Sequence, residues 1–192
     1  RENQYPGAAC DVQSHMYSLS FAPKTDWSKR YAEADEIFTY IQDITEQYKL
    51  KDYCKFNHEV THAQFDENRN VWTVEFKDQP TLEAQFVIFA SGPLHVPQIP
   101  HIKGIEKFKG KVFHSSKWEH DYDLNGKSVA SIGTGGSAIQ YIPEIAPEVK
   151  QLYVFQRTAA WVIPRDERKY LNVEKKLFKQ ADWFRKLHRA RL

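Results

Sequence analysis

Between Lys127 and Ala138 the chain reads Lys-Ser-Val-Ala-Ser-Ile-Gly-Thr-Gly-Gly-Ser-Ala, a spacing of glycines that can hold a phosphate. An apolar run (Val129, Ala130, Ile132) ends in Gly133-x-Gly135-x-x-Ala138, and a helix-competent segment follows. That is the strand, glycine turn and helix of a dinucleotide-binding unit. Gly133 permits the tight turn, Gly135 lets backbone approach a pyrophosphate, and Ala138 lets the helix sit close to the strand. Free amides at the helix start, reinforced by its dipole, then receive the phosphates. Asn125-Gly126 signals a turn just before the strand, and a second apolar strand, Leu152 to Phe155, follows the helix. The bland alternative is a glycine turn with no ligand.

Cofactor choice is written at the end of that second strand. A site for NAD places an acid roughly 20 residues beyond the glycines, to bond the ribose hydroxyls. Here the stretch is Gln156-Arg157-Thr158, with no acid to repel a 2′-phosphate and with a guanidinium and a hydroxyl to bind one. The expected cofactor is NADP(H), against the alternative that Arg157 is a solvated surface charge.

Other residues with chemical potential are fewer. Asp11 sits among Ala, Cys and Val, so its carboxylate either caps local amides or pairs with a cation elsewhere. Phe108 to Trp118 sets a glycine, a histidine and a tryptophan at fixed offsets, a pattern that a packed loop with a satisfied histidine would also give. His58, His62, His95 and His101 lack ligand spacing, so no metal is expected. Cys10 and Cys54 make neither a disulfide framework nor a metal cluster, and reduced, intracellular thiols are the default. No convincing Ser-His-Asp or Cys-His arrangement is present.

The elements that must position these groups follow from pattern. Tyr5-Pro6-Gly7-Ala8-Ala9 is rich in turn formers and small residues, so it packs closely against something. His15 to Phe21 alternates, as an edge strand or extended loop. Tyr31 to Leu50 reads as a helix with Ile37, Tyr40, Ile41, Ile44 and Tyr48 on one side. Cys54 to Phe89 reads as a β-meander: Val60 to Phe65, a turn at Glu67 to Asn70, Val71 to Phe76, a turn at Asp78-Gln79-Pro80, and a buried strand ending in Phe86-Val87-Ile88-Phe89. Pro93, Pro97 and Pro100 stiffen a linker. Pro143 must kink the helix after the glycine turn or end its regular bonding, and Trp161 to Pro164 is an apolar exit. Val173 to Leu192 is a basic helix, with Leu177, Phe184 and Leu187 as its inner face.

The 192 residues are 41% hydrophobic and 27% charged, with a formal charge of +2, which argues for no polyanion partner. No apolar run approaches the roughly 20 residues of a membrane span and no signal peptide is visible, so a cytoplasmic location is expected. The chain opens on Arg1 without Met and ends inside a helical pattern, as an internal piece of a longer protein would.

With these segments placed, the chain resembles the Baeyer-Villiger monooxygenases, class B flavoprotein monooxygenases of the flavin-containing monooxygenase superfamily. Their signature Phe-x-Gly-x-x-x-His-x-x-x-Trp is met by Phe108, Gly110, His114 and Trp118, followed by Glu119 where Pro or Asp is usual. A longer fingerprint ending in Tyr-Pro-Gly-x-x-x-Asp is met by Tyr5, Pro6, Gly7 and Asp11. The resemblance implies an α/β fold with two dinucleotide-binding (Rossmann-like) domains, both incomplete here. These are a partial FAD domain over 1–100 holding the β-meander (54–89), a linker with the first half of an NADP domain over 101–165, and the start of a helical insertion over 166–192. It implies that Asp11 is the acid at the flavin–nicotinamide junction and that Tyr17 and Val60 contact FAD. Gly133, Thr134, Gly135, Gly136, Ser137, Arg157 and Thr158 would hold NADP(H), and Gly110, His114 and Trp118 would couple the domains.

The chemistry so implied is reduction of FAD by NADPH, capture of O2 as a C4a-peroxyflavin, and insertion of one oxygen atom into a ketone, with an arginine stabilising the oxyanion. Nothing in this chain matches that arginine or an FAD glycine loop, so the isolated piece is expected to be inactive and to self-associate through exposed sheet edges. Two alternatives stand beside this reading. One is a flavin-containing monooxygenase oxygenating soft nitrogen or sulfur, whose shorter signature lacks a counterpart of Trp118. The other is a non-catalytic truncated chain that binds NADP(H).

Overall fold

The computed structural model describes residues 3–92, 96–159, 161 and 163–192; Arg1, Pro93, His95 and Val162 lie outside the described residues. In chain order the elements are α1 (Ala34–Gln47), β1 (Val60–Asp66), β2 (Val71–Phe76), β3 (Gln79–Ala84), β4 (Ser128–Ile132), α2 (Ala138–Ile145), β5 (Gln151–Phe155), α3 (Asn172–Gln180) and α4 (Asp182–Ala190). The fold is α/β. It divides into two compact units, one of Arg1–Ile44 with Pro97–Leu192, the other Thr45–Val96.

The first unit is built around a core of Cys10, Trp27, Ala32, Tyr40, Ile44, Tyr170 and Phe178. Trp27 is fully buried, and its indole N–H donates to Ser18 Oγ at 3.2 Å, which satisfies the one polar atom that burial would otherwise strand. Tyr40, on the inner side of α1, donates its hydroxyl to the Ala22 carbonyl and accepts the Leu19 N–H. The segment 28–30 runs beside 168–170: Arg30 N–H donates to the Arg168 carbonyl and Tyr170 N–H to the Ser28 carbonyl. Residues 15–21 form turns and bends and no strand, so the alternation there reflects a coiled path over the core.

In the same unit β4 and β5 pair in parallel, Ser128 opposite Gln151 through Ile132 opposite Phe155, with α2 between them in sequence. Parallel pairing demands a crossover, and the eight-residue α2 supplies it. Pro143 lies inside α2 without ending it, the helix running on to Ile145. The C-terminal stretch is two helices, because Ala181 (φ −117°, ψ 92°) breaks it between Gln180 and Asp182. The break resets the phase of the apolar face. Phe178 is buried and Phe184 packs on the core, while Leu177 and Leu187 stay 41% and 43% exposed.

The second unit is the meander, with strand order β1-β2-β3 and both pairings antiparallel. Asp66 Oδ1 accepts the N–H groups of Asn68 and Arg69, Asn70 takes φ 51°, and these close the first hairpin. Two differences from the sequence pattern have physical causes. The second turn is centred on Lys77-Asp78, with Asp78 at φ 58°, and Pro80 falls inside β3, an edge strand where its missing N–H is tolerated. Phe86 to Phe89 forms no strand: Phe86, Ile88 and Phe89 are 83%, 88% and 71% exposed. A strand apolar on both faces needs a neighbour on each side, and among the described residues no strand runs beside it.

Candidate nucleotide-binding site

The glycine turn joins the end of β4 to the head of α2. Gly133 takes φ 102°, a left-handed value that glycine alone adopts freely, and its N–H donates 2.8 Å to the Phe155 carbonyl at the end of β5. The turn is therefore fixed to both strands. Above Gly133, Gly135 and Gly136 no heavy atom lies within 4 Å of where a Cβ would stand, so the backbone faces open space. Among the described residues the N–H groups of Gly135, Gly136, Ser137 and Ala138 donate to no backbone carbonyl. Ser137, at the N-cap, makes no side-chain cap. Four amides without a backbone acceptor at the positive end of a helix, with open space above Gly135 and Gly136, are what an anion requires.

Thr134 Oγ1 lies 3.5 Å from Gln156 Oε1, so the turn also meets the residues just past β5. Arg157 and Thr158 follow there, both exposed. The donor set fits a nucleotide with a phosphate at each end: uncharged N–H groups for the pyrophosphate and the exposed Arg157 guanidinium beyond the neighbouring strand.

The two sequence signatures meet on one face of α2. Gln140 Oε1 accepts the Tyr5 hydroxyl at 3.1 Å and the Ala9 N–H at 3.2 Å, while its Nε2 donates to the Ala9 carbonyl at 3.1 Å. A Cβ on Gly7 would stand 2.8 Å from the Gln140 carbonyl oxygen and 2.7 Å from Glu144 Cγ, and Gly7 has φ 72°. Nothing but glycine lets the Pro6-Gly7 turn lie so close to the helix. One residue further along α2, Tyr141 bonds Ser131 Oγ of β4 at 2.7 Å, receives Trp118 at 5.1 Å between ring centroids and meets Tyr5 edge-on at 6.3 Å.

Within the second signature the roles are local and legible. A Cβ on Gly110 would stand 2.5 Å from Phe108 Cζ, so the glycine makes room for the Phe108 ring. His114 Nδ1 accepts the Ser116 N–H at 3.2 Å and lies 2.9 Å from Ser116 Oγ, which caps the short turn Ser115–Lys117. Trp118 packs between Phe113 and Tyr141. Glu119 pairs with Lys111 Nζ at 2.6 Å, bracing the same segment.

Asp11 is exposed, and among the described residues its carboxylate has no hydrogen bond or ion pair. The segment carrying it is nevertheless held: Cys10 N–H donates to Ala32 O, and Arg165, stacked over Tyr31, reaches the Cys10 carbonyl. Burial pushes the Cys10 thiol up, so it stays protonated packing material. Tyr17 is 46% exposed; Val60 begins β1 of the second unit. Sequence reasoning missed Gln140, Tyr141, Glu144 and Arg165. Only the close approach expected of Tyr5 to Ala9 pointed toward them.

Residues 4–181 match the model of the family described as flavin-binding monooxygenase-like. The chain belongs to that family. A Baeyer-Villiger monooxygenase of Streptomyces coelicolor is 44% identical over all 192 residues, and one of Pseudomonas aeruginosa is 42% identical. Among solved structures, an oxidized steroid monooxygenase bound to NADP superposes on 93% of this flavin-binding monooxygenase-like chain with a TM-score of 0.82 at 37% identity. The chain spans about 37% of the length of the Streptomyces relative and 36% of the steroid monooxygenase. No helix among the described residues is long and apolar enough to cross a membrane.

Proposed function

We propose that this chain supplies the NADP(H)-binding part, and some of the FAD lining, of an NADPH-dependent monooxygenase that inserts one oxygen atom of O2 into a ketone. The observation that carries it is the set of amides at the head of α2 that have no backbone acceptor among the described residues, with open space above Gly135 and Gly136 and with Arg157 exposed beyond β5. Gly133, Thr134, Gly135, Gly136 and Ser137 bind the pyrophosphate, and Arg157 with Thr158 binds the 2′-phosphate. Asp11, on an exposed loop anchored at Cys10, orients a cationic partner at the junction of the two cofactors. Tyr17 and Val60 line the flavin side. Gly110, His114 and Trp118 couple the linker to the NADP domain through Tyr141. When bound, NADPH supplies a hydride and FAD the ring that activates oxygen.

On this reading the domains are 1–100, 101–165 and 166–192, the protein is cytoplasmic, and the isolated chain is inactive and self-associates through exposed sheet edges and apolar residues such as Phe86 and Ile88. The test is titration with NADP+ and NAD+ by calorimetry. NADP+ should bind at least about tenfold more tightly, the factor of a charge-assisted contact. Equal affinities reject the 2′-phosphate assignment. Incubation with FAD followed by desalting addresses the flavin side: a retained visible band supports it, and a colourless protein removes FAD from what this chain binds alone.

A further inference from the structure

We propose that Gln140 is a positioning residue that couples nucleotide binding at the glycine turn to the loop carrying Asp11. The inference rests on the nucleotide reading of the α2 head. Gln140 is the third residue of α2 and belongs to the same first turn that presents the anion-binding amides; its N–H and that of Tyr141 both return to the Ser137 carbonyl. Its side chain completes a two-way pair with the backbone of Ala9, accepting from the N–H and donating to the carbonyl, and it takes the Tyr5 hydroxyl as well.

Ala9 is held from its other side too. The Ala8 carbonyl accepts the Ala34 N–H, the Cys10 N–H goes to Ala32 O, and Ala9 forms a bridge with Glu33. Residues 8–10 are thus a short strip between α2 and residues 32–34, and Asp11 is the next residue along. A ligand that orders the first turn of α2 fixes the Gln140 amide, and the amide fixes the strip.

The chemistry needs glutamine in particular. Leucine fills similar volume and leaves the Ala9 N–H and carbonyl unpaired. Glutamate keeps the acceptor, but when ionised it sets a carboxylate oxygen against the Ala9 carbonyl. Asparagine is one methylene short. Coupling of this kind is reciprocal, so the factor by which ligand protects Ala9 equals the factor by which loss of the clamp weakens the ligand.

The experiment uses the 192-residue chain with adenosine 2′,5′-bisphosphate as the probe, read by calorimetry and by amide hydrogen exchange over residues 5–11. In the unmodified chain the probe should slow exchange at Ala9 and Cys10 by about fivefold, the factor of one net hydrogen bond. Gln140→Leu should abolish that slowing and raise the probe's Kd by the same factor. Gln140→Glu should behave like Gln140→Leu near pH 8 and recover progressively as pH falls toward about 4.3, where half of the carboxyls are protonated and can donate to the Ala9 carbonyl.

A merely structural glutamine would lower stability without changing the bound-to-free exchange ratio and without a pH-dependent recovery. Binding with no slowing at Ala9 overturns the coupling alone, as does equal slowing in Gln140→Leu. Absence of probe binding overturns the nucleotide reading and the coupling with it.

Discussion

His15 gives the structure a built-in acid sensitivity. Its ring is 1% exposed and lies 4.0 Å from Phe178, 5.2 Å from His188 and 5.3 Å from Tyr170, and its Nε2 has no hydrogen-bond partner among the described residues. Burial, and after it the charges of His188, Arg185 and Arg189, lower its pKa from 6.5 to about 4, with Glu174 opposing. The folded chain therefore favours the neutral ring. The stability this represents is fully present above pH 6.5 and is lost as pH falls through about 4. That interval corresponds to at most about 3 kcal/mol, a large share of the roughly 5–15 kcal/mol that holds a domain together. His188, also lowered by burial, adds to the loss in the same direction. His15→Phe keeps a ring against Phe178 and removes the titrating nitrogen. Urea unfolding followed by tryptophan fluorescence, to which the fully buried Trp27 contributes, should show an unchanged or higher midpoint at pH 7 and a shallower decline toward pH 4. An identical decline in both proteins refutes the assignment of acid sensitivity to His15.

Arg157→Ala should weaken NADPH by about tenfold to a hundredfold and NADH far less, by fluorescence titration, and equal losses would sink the 2′-phosphate contact. Gly7→Ala, forced both against Gln140 and Glu144 and into a left-handed φ, should cost about 2 kcal/mol or more in chemical denaturation. Trp118→Ala should cost about 2–3 kcal/mol through lost packing on Tyr141, and Trp118→Phe much less. Glu174 is held at about 2 by hydrogen bonds from Arg168 and then by the Leu171 N–H. Its contribution is therefore present above pH 4.5 and lost as pH falls through about 2, and Glu174→Gln should flatten that lower part of the stability curve.

Features that obey a local period were legible in the residues. The glycine turn with its flanking strands, α1 and the first hairpin of the meander each carry their signal within a dozen residues or so. What escaped depends on partners far away in the chain. No periodicity announces that Gln140 will clasp Ala9, since the two lie 131 positions apart. Phe86 to Phe89 has the composition of a buried strand and the exposure of none, because composition cannot say whether neighbours exist. The inner face of the last helices departs from the sequence pattern for a local reason, a single extended residue at Ala181 that rotates everything beyond it. The sequence places His15 in an alternating run, and its burial comes from Phe178 and His188, which pack around it from the far end of the chain.

The dependence of α2 on the Tyr5–Ala9 turn bears on how the chain acquires its shape. A helix of eight residues containing a proline is far too short to persist in water by itself. Its support comes from residues more than a hundred positions earlier, and closing so long a loop from a disordered chain costs about 4 kcal/mol in entropy alone. The meander between them shortens that path, for its hairpins are local and can form early. During synthesis the N-terminal strip emerges first and can dock against residues 32–34 before the glycine turn leaves the ribosome. The glycine turn would then be assembled onto a template already made.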